Sequence, residues 1–538
     1  MFGKISLRVG GLLCALWIFH GESIAAPPAV TSLFPAGAGR GQSCEITAAG
    51  TFDSWPVQVW VSGSGVDIAP SKAKGKFAVK VAADAALGPR WLRFHNADGA
   101  SALQPFVIGA LPELIEIEPN DDPKKAQHLT SAMATINGKL SPAGDVDHFS
   151  VHLKKNETLV ASILANQVLK SPMDGHLQIV SPDGYVFAEN NDCHGLDPQL
   201  EFTPPKDGVY LVRVFAFPAS PDSSIHLAGG DAFIYRLTLT TGPFVDHPFL
   251  LAVNAADPGE IELIGWNFPA KDRHLPYASA LSRLDRDWIR RERHACLVER
   301  EPNDRKSPQM IPLPVTISGH IDPPGDLDAF EFTARKGMRL QIQAEAQRIG
   351  SPLDPVLTIT DSAGKMIAEL DDSPKSADPE IAFSAPGDGK YRIIVSDRYR
   401  HGGWRYFYRL RVVPPEPDFS LSVAADRFTL VPGKPLDIPV TIERTNGHTE
   451  PIVLAVHDLP AGVTAALVGG DKPLAATVKS ATIRLTAAKG PVSKPFRISA
   501  TSISWLTGNQ HFAHPTVVED SVDYLWLTVP SKSTPPKK

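Results

Sequence analysis

Residues 138–149 read Gly-Lys-Leu-Ser-Pro-Ala-Gly-Asp-Val-Asp-His-Phe, and residues 319–330 read Gly-His-Ile-Asp-Pro-Pro-Gly-Asp-Leu-Asp-Ala-Phe. An earlier pair of blocks keeps nearly the same offset, because Glu-Ile-Glu-Pro-Asn-Asp at 116–121 returns as Glu-Arg-Glu-Pro-Asn-Asp at 299–304. Further matched blocks follow in the same order. Self-similarity of this kind indicates a duplicated unit, and each copy spans about 120 residues, the size of one domain.

Both copies close on the tripeptide Tyr-Arg-Leu, which starts at Tyr235 in the first copy and at Tyr408 in the second. Short runs between the blocks alternate along the chain, such as Tyr-Leu-Val-Arg-Val at 210–214 and Tyr-Arg-Ile-Ile-Val at 391–395. Alternation at period two, interrupted by turn residues, predicts an all-β chain of tandem β-sandwiches. One segment, 281–293, has apolar residues at helical spacing and predicts a connecting helix.

The first 26 residues have the pattern of a cleavable signal peptide. Lys4 and Arg8 precede an apolar run over 10–19, and small residues follow at Ala25 and Ala26. The run is too short to span a bilayer comfortably, and no later stretch reaches the roughly 18 apolar residues of a spanning helix. We therefore expect an exported chain without a transmembrane anchor, located in the periplasm, at the cell surface or in the medium.

Charge and cysteine content narrow the choice of partners. The net charge is −6 with both signs interspersed, so no basic stripe is present to hold a phosphate backbone, and nucleic acid is excluded as a partner. The expected mature chain has three cysteines, Cys44, Cys193 and Cys296. Their number is odd and their spacing wide, so the sequence does not predict a disulfide scaffold, although one bridge remains open.

The repeated blocks resemble a known family. Their order, Glu-x-Glu-Pro-Asn-Asp, then Asp-x-Asp-x-Phe, then Asp-Gly, then Gly-x-Tyr, is similar to the bacterial pre-peptidase C-terminal domain over residues 111–243 and 297–414. This resemblance implies two jelly-roll-like β-sandwiches of the type appended to secreted proteases, with relatives among the collagen-binding domains of clostridial collagenases. The peptidase domain itself has no counterpart in the sequence.

Looser resemblances cover the rest of the chain. Residues 27–110, with Ser-Leu-Phe-Pro near the start and Phe-Val-Ile-Gly at the end, are similar to an IPT/TIG immunoglobulin-like domain. Residues 415–530, with Leu-Pro-Ala-Gly-Val, are similar to immunoglobulin-like domains of secreted bacterial proteins. Residues 244–296 are either a connector or a shortened TIG-like unit, and we expect residues 531–538 to be a disordered tail.

Acidic side chains lead each repeated copy. In an extended segment Glu116 and Glu118 point the same way, Pro119 turns the chain after them, and Asp145 and Asp147 repeat the spacing. Carboxylates that converge raise one another's pKa and destabilise the fold unless a cation lies among them. Calcium accepts six to eight oxygen ligands, whereas zinc prefers histidine and cysteine, neither of which recurs in the blocks. The pattern therefore predicts one calcium ion per copy.

The resemblance implies the same ion, because the collagen-binding relatives hold calcium with the corresponding segment. Carried over by position, the resemblance implicates Glu116, Glu118, Asn120, Asp121 and Asp147 in the first copy, and Glu299, Glu301, Asn303, Asp304 and Asp328 in the second. The paired spacing of the loop aspartates adds Asp145 and Asp326. The alternative is a solvated turn whose Asn and Asp side chains cap their own backbone.

No catalytic signature is present in the sequence. Gly-x-Ser-x-Gly, His-Glu-x-x-His and the papain-type cysteine pattern are all missing. We therefore expect a non-catalytic binding or scaffold protein that engages extracellular protein or polysaccharide. The alternative is a secreted hydrolase with an unrecognised site, or an accessory subunit of one.

A candidate ligand surface lies only in the second copy, which reads Tyr-Arg-His-Gly-Gly-Trp-Arg-Tyr at 399–406. Exposed aromatic rings interleaved with arginine suit stacking on sugars or gripping a peptide. The sequence thus predicts a surface formed by Tyr399, Trp404 and Tyr406. The alternative is a loop whose aromatic side chains cover the edge of the sandwich.

Overall fold

The computed structural model describes residues 26–220, 223, 226–374, 376–502, 510–517 and 522–530. The predicted signal peptide, apart from its last residue, and the predicted tail lie outside the described residues. Strands make up 52% of the chain and helices 4%, which confirms the predicted all-β class of tandem β-sandwiches. Among the described helices, none has the length and apolar character needed to cross a membrane.

The first domain is a sandwich of nine strands. Strands β1–β9 are Ala29–Phe34, Gly37–Gly39, Ser43–Thr51, Gln58–Val61, Val66–Pro70, Lys76–Val81, Gly88–Asn96, Gly99–Ala100 and Gln104–Gly109. One sheet has the order β1-β3-β6-β5 and the other β2-β9-β7-β4, with β8 pairing to β7. The inward side chains of the two sheets, such as Phe77 and Phe94, form one apolar core between them.

The first repeated copy, which we call module 1, contains ten strands and one short helix. Strands β10–β19 are Glu113–Ile115, Gln127–His128, Ala134–Lys139, Asp147–Leu153, Leu159–Leu164, Met173–Val180, Val186–Asn190, Gln199–Phe202, Gly208–Pro218 and Ile234–Thr240, and helix α1 is Asn166–Leu169. Two five-stranded sheets, β10-β12-β19-β14-β17 and β11-β13-β18-β15-β16, face each other. The alternating run at 210–214 lies in β18, where Tyr210, Val212 and Val214 enter the core as its period predicts.

A connector of mixed structure follows module 1. Strands β20–β24 are Phe244–Phe249, Ala252–Asn254, Glu260–Trp266, His274–Pro276 and Arg290–Glu292, and helix α2 is Tyr277–Leu281. The predicted helix over 281–293 is wrong, because α2 ends where that segment begins. Leu284 and Trp288 are buried but Leu281 is 38% exposed. The chain bends after Leu284 so that β24 can pair with β21, and tertiary packing overrides the helical spacing.

The second copy, module 2, has the same topology as module 1. Strands β25–β34 are Ala295–Val298, Gln309–Met310, Val315–His320, Leu327–Ala334, Arg339–Glu345, Pro355–Asp361, Met366–Leu370, Glu380–Ser384, Gly389–Asp397 and Phe407–Val413. The sheet orders are β25-β27-β34-β29-β32 and β26-β28-β33-β30-β31. Every strand of module 2 occupies the position of its counterpart in module 1, so the two copies present equivalent loops at equivalent ends.

The last domain has a strand order that differs from those of the other domains, and it packs against the first domain. Strands β35–β43 are Asp418–Val423, Arg427–Thr429, Leu436–Thr445, Ile452–His457, Val463–Leu467, Ser480–Ala487, Val492–Ser502, Gln510–Pro515 and Leu525–Val529. They follow the order β36-β43-β41-β42-β35-β37-β40-β39, with β38 pairing to β41. Arg93 of the first domain forms a 2.7 Å ion pair with Asp426, and Trp60 packs on Trp526. The chain is therefore folded back on itself.

Candidate metal centres

The acidic segment of each module is tied to the sheet before it reaches the site. The backbone N–H of Glu116 donates to the carbonyl of Asn137 (3.0 Å), and that of Glu299 donates to the carbonyl of Ser318 (3.0 Å). These bonds continue the parallel pairing of β10 with β12 and of β25 with β27. Each segment therefore reaches the end of the sandwich where the loop aspartates lie.

Three carboxylates converge in each module, as the sequence predicts. In module 1, one oxygen from each of Glu116, Glu118 and Asp147 lies within 4.8 Å of the others. In module 2, the equivalent oxygens of Glu299, Glu301 and Asp328 lie within 4.8 Å of one another. Three negative charges this close repel strongly in a partly buried site. The same cluster forms twice because the two modules share one topology.

Buried polar atoms beside each cluster lack a partner. Asn120 and Asn303 are 0% exposed, yet neither amide has a hydrogen-bond partner among the described residues at its Oδ1 or Nδ2 atom. One carboxylate oxygen of Asp147 and one of Asp328 are likewise buried and unpartnered. Leaving a buried polar group unsatisfied costs about 1–3 kcal/mol. An oxygen-binding cation would satisfy the unpartnered oxygens of these asparagines and aspartates, so the residues present fit the predicted calcium ion.

The raised pKa values of the clustered carboxylates also fit a bound cation. Burial, together with the Glu116 carboxylate, raises the pKa of Asp147 to about 9. Burial, together with Glu299, raises the pKa of Asp328 to about 10. Burial also raises the pKa of Glu116 to about 7, with a further contribution from Glu118. Without a cation, each cluster therefore retains protons at neutral pH.

A tyrosine hydroxyl bonds to the aspartate of each cluster, a contact that the sequence does not predict. The hydroxyl of Tyr235 donates to Oδ2 of Asp147 at 2.5 Å, and Tyr408 donates to Oδ2 of Asp328 at 2.5 Å. Both rings are fully buried. These are the tyrosines of the repeated Tyr-Arg-Leu block, so their recurrence was a signal that could have identified them.

The arginine of the same block contacts the unit that precedes each module. Arg236 pairs with Glu113 of β10 and lies against the first domain, where a Cβ at Gly37 would be 2.6 Å from its Nε. Arg409 donates to the carbonyl of Leu251 at 2.9 Å, in the connector, and pairs with Glu345 at 2.6 Å. One tripeptide therefore supports the acidic cluster with its tyrosine and docks the preceding unit with its arginine.

The remaining predicted ligands lie outside the tight clusters, which do not include Asp121, Asp145, Asp304 and Asp326. In module 2, Oδ1 of Asp304 accepts from the backbone N–H of Lys306 (2.7 Å) and Ser307 (2.9 Å). At Asp304 the structure therefore contains the self-capping turn, which is the alternative to a calcium ligand at this position.

The loop aspartates differ between the modules. In module 1, the carboxylate of Asp145 accepts from the N–H of Ser141 (2.5 Å), and burial together with Asp121 raises its pKa to about 6. In module 2, Oδ1 of Asp326 accepts from the N–H of Leu327 (2.8 Å). Burial raises the pKa of Asp326 as well. Both side chains thus border the clusters and hold their own loops.

The predicted ligand surface is divided between two environments. Trp404 packs edge-on against Trp266 of the connector (5.3 Å between ring centroids) and parallel to His247 (5.7 Å). Tyr399 and Tyr406 instead each approach His401, at 6.0 and 6.1 Å. Trp404 therefore belongs to a contact between units, Tyr399 is exposed, and Tyr406 is half-buried against the core of module 2.

Arg405 joins three parts of the chain next to Trp404. Its guanidinium contacts Asp246 of the connector (2.7 Å) and both Cys193 (Sγ, 2.8 Å) and His194 (Nε2, 3.1 Å) of module 1. Cys44, Cys193 and Cys296 are all free thiols. The junction between the modules is therefore held by charge and aromatic packing, and no disulfide links these three cysteines.

Comparisons with known proteins give only distant similarities. No family model matches the chain, and no curated protein matches it. A solved pre-peptidase C-terminal domain of collagenase from Bacillus anthracis is 20% identical and covers 19% of this chain and 92% of its own length, with a TM-score of 0.16.

Two further solved structures match at similar levels. PliG, a periplasmic inhibitor of g-type lysozyme from Aeromonas hydrophila, is 16% identical over 24% of this chain and 99% of its own, with a TM-score of 0.16. Domains 4 and 5 of the S-layer protein SbsC are 10% identical over 32% of this chain and 98% of their own, with a TM-score of 0.16. Similarities this low do not identify a family or a function.

Proposed function

We propose that this chain is an exported, non-catalytic scaffold and binding protein whose two modules each hold one calcium ion. The single observation that carries the calcium proposal is the pairing, in both modules, of three convergent carboxylates with a buried asparagine whose side-chain amide has no hydrogen-bond partner among the described residues. Glu116, Glu118, Asp147 and Asn120 would hold the ion in module 1. Glu299, Glu301, Asp328 and Asn303 would hold it in module 2.

The ion would join each module to the unit before it. The acidic segment enters the module directly from the first domain or the connector. The neighbouring arginine contacts that same preceding unit, Arg236 at Gly37 and Arg409 at Leu251. A cation that neutralises the acidic segment removes the repulsion that would otherwise push the segment away from Asp147 or Asp328. Calcium in this position supplies charge and rigidity.

The geometry of the clusters supports a non-catalytic role. Carboxylates with raised pKa values are also found in glycosidases, which use a pair of them. Here three carboxylates converge, the aspartate of each cluster accepts from a buried tyrosine, and the same cluster occurs twice. These features favour an ion site over the alternative of a secreted hydrolase or its accessory subunit.

Export and partners complete the proposal. The predicted signal peptide supports a location in the periplasm, at the cell surface or in the medium, where calcium is plentiful. The folded-back chain of five packed units offers a broad surface, and the partner class is extracellular protein or polysaccharide.

Calorimetric titration of the full mature chain with calcium tests the proposal. We expect two ions per chain, because both modules carry the complete set. Asp147→Asn should reduce the stoichiometry to one, and the Asp147→Asn/Asp328→Asn variant should bind none. Asp84→Asn, at an exposed carboxylate of the first domain, is the matched control and should still bind two. Absence of heat and of any thermal stabilisation at millimolar calcium would reject the sites.

Tyr408→Phe should weaken calcium binding at module 2 by about 10–100-fold, the usual effect of losing a group that orients a ligand. The change deletes only the hydroxyl that fixes Asp328. Titration should then resolve one unchanged and one weakened site. Tyr391→Phe removes a hydroxyl bonded to the carbonyl of Gly387 in the same module and is the control. Equal affinities in both variants would show that Tyr408 has no part in the site.

A further inference from the structure

The loop between β33 and β34 is held in one conformation by Asp397, which is 5% exposed. One carboxylate oxygen of Asp397 accepts from the N–H of Asp354 at 3.0 Å. The other accepts from the N–H groups of Tyr399 (2.9 Å) and His401 (2.8 Å). A loop fixed in this way loses little further conformational freedom when it binds a partner.

The far side of the loop rests on the end of module 2. The N–H of Gly403 donates to the carbonyl of Ile321 at 2.8 Å. A Cβ at Gly402 would lie 2.7 Å from the carbonyl oxygen of Pro323, so only glycine allows this close approach. Arg400 has a φ of 62°, a left-handed conformation that disfavours most side chains. Strain of this kind is typical of loops that present a functional residue.

The rigid loop presents a row of rings. Tyr399 is 65% exposed and the His401 side chain is 62% exposed. Tyr406, on the other side of His401, is half-buried against the core of module 2. The ring centroids are 6.0 and 6.1 Å apart along the row. Exposed amphipathic rings offer both a flat apolar face and a polar edge to a ligand.

One positive charge beside the row is uncompensated. Arg398 pairs with Asp371, and Arg405 pairs with Asp246. Within the described part of the chain, no ion pair or hydrogen bond to the guanidinium of Arg400 is found. The Arg400 guanidinium lies over the loop before β28, where a Cβ at Gly325 would be 3.8 Å from its Nη2, and an unpaired guanidinium offers two parallel donors to an anionic group.

We propose that Tyr399, Arg400, His401 and Tyr406 bind a polysaccharide that carries carboxylated sugars. The faces of the sugar rings would stack on the aromatic row, and the sugar carboxylate would pair with Arg400 through two parallel hydrogen bonds. A peptide fits less well, because it needs a free strand edge or an apolar groove, and β33 and β34 are each paired on both sides. The inference rests on the binding role proposed above and gives that role a location and a ligand class.

Module 1 lacks this surface although its fold is the same. It reads Gly-Gly-Asp-Ala-Phe at 229–233 where module 2 reads Gly-Gly-Trp-Arg-Tyr at 402–406. Its most exposed aromatic residue is Tyr185, which is 68% exposed and lies in a different loop. Tyr185 is therefore a matched control for Tyr399.

Binding of the full mature chain to polygalacturonate, in the presence of calcium, tests the inference against neutral dextran and gelatin. We expect Tyr399→Ala and Arg400→Gln each to weaken polygalacturonate binding at least tenfold, and Tyr185→Ala to leave it unchanged. Dextran should bind at least tenfold more weakly than polygalacturonate, because it offers no carboxylate. Both loop positions are on the surface, so unchanged melting temperatures will show that the variants are folded.

Each other outcome overturns a defined part of the inference. Full binding by both loop variants would remove the loop as the site while leaving the binding role intact. Equal binding of dextran would remove the carboxylate from the ligand class. Binding of gelatin without binding of polygalacturonate would replace the polysaccharide with a protein partner. A chain that binds none of the three contradicts the inference and the proposed binding role together.

Discussion

Chelation of calcium at pH 8 should lower the melting temperature of the two modules by roughly 10 °C. An ion held at about one hundred times its dissociation constant stabilises the folded state by about 2.7 kcal/mol, and each kcal/mol shifts the melting temperature of a domain of this size by about 4 °C. An effect of this size is expected because each cluster places three carboxylates within 4.8 Å of one another. Among the described residues, the side-chain amide of Asn120 or Asn303 beside it also has no hydrogen-bond partner. Differential scanning calorimetry of the full chain measures it.

The calcium effect should grow as the pH rises from 5 to 8. The pKa values of Asp147, about 9, and Asp328, about 10, lie far above the ordinary aspartate value. In the ion-free protein the folded state therefore keeps protons that the unfolded chain releases above about pH 4. Stability contributed by these groups is fully present below about pH 4. It is lost as the pH rises from there toward the folded-state pKa values of about 9 and 10. Calcium competes with those protons and removes the loss.

The Asp147→Asn/Asp328→Asn variant isolates this effect from all other titrating groups. Asparagine keeps the size of the side chain but cannot titrate, so the variant should lose the calcium response and the part of the decline in ion-free stability above pH 4 that Asp147 and Asp328 cause. The difference between the parent and the variant is the quantity of interest. A parent chain that is equally stable with and without calcium at pH 8 would contradict the proposed sites.

Asp426→Ala should separate the first and last domains. Arg93 is 1% exposed, and its guanidinium is 2.7 Å from Asp426. Removing one member of a buried pair leaves the other charge uncompensated, which costs about 3–5 kcal/mol. The unpaired Arg93 can regain hydration if the contact between the first and last domains opens. We expect a larger radius of gyration in small-angle scattering and a lower transition temperature.

Two further variants make this prediction specific. Asp437→Ala breaks a pair with Arg484 whose members are 44% and 45% exposed, and an exposed pair contributes only about 0–1 kcal/mol. That control should leave the radius of gyration unchanged. Arg93→Met/Asp426→Leu removes both buried charges and should restore the closed arrangement. Equal radii for Asp426→Ala and its parent would show that the ion pair does not hold the domains together.

The candidate metal centres illustrate how far sequence reasoning reaches. The spacing of Glu116 and Glu118 placed both side chains on one face, and the loop residue Asp147 was expected to meet them, which it does. The sequence identifies Tyr235 only as the end of a repeat. No local pattern links it to Asp147, which lies 88 residues away in sequence. Asp304 was counted among the ligands, whereas its carboxylate caps the turn that follows it.

Contacts between units were the least predictable features. The sequence predicts Trp404 as part of a ligand surface because its neighbours are aromatic and basic. The side chain is 39% exposed, but its ring also packs against Trp266 and His247 of the connector. The helix expected over 281–293 failed for a related reason, since Leu284 and Trp288 pack into the core formed with module 2 and leave Leu281 outside. In both cases the deciding contact comes from a distant part of the chain.

The sequence by itself determined the all-β class, the duplication, and the acidic segments that supply the clusters, because these depend on alternation and short spacings along one strand or turn. Only the tertiary structure decided that Tyr235 and Tyr408 cover those clusters, that Arg236 and Arg409 dock the preceding units, and that Arg93 meets Asp426. Such contacts join residues far apart in sequence. They form only when separate strands or separate domains pack together, so no local pattern encodes them.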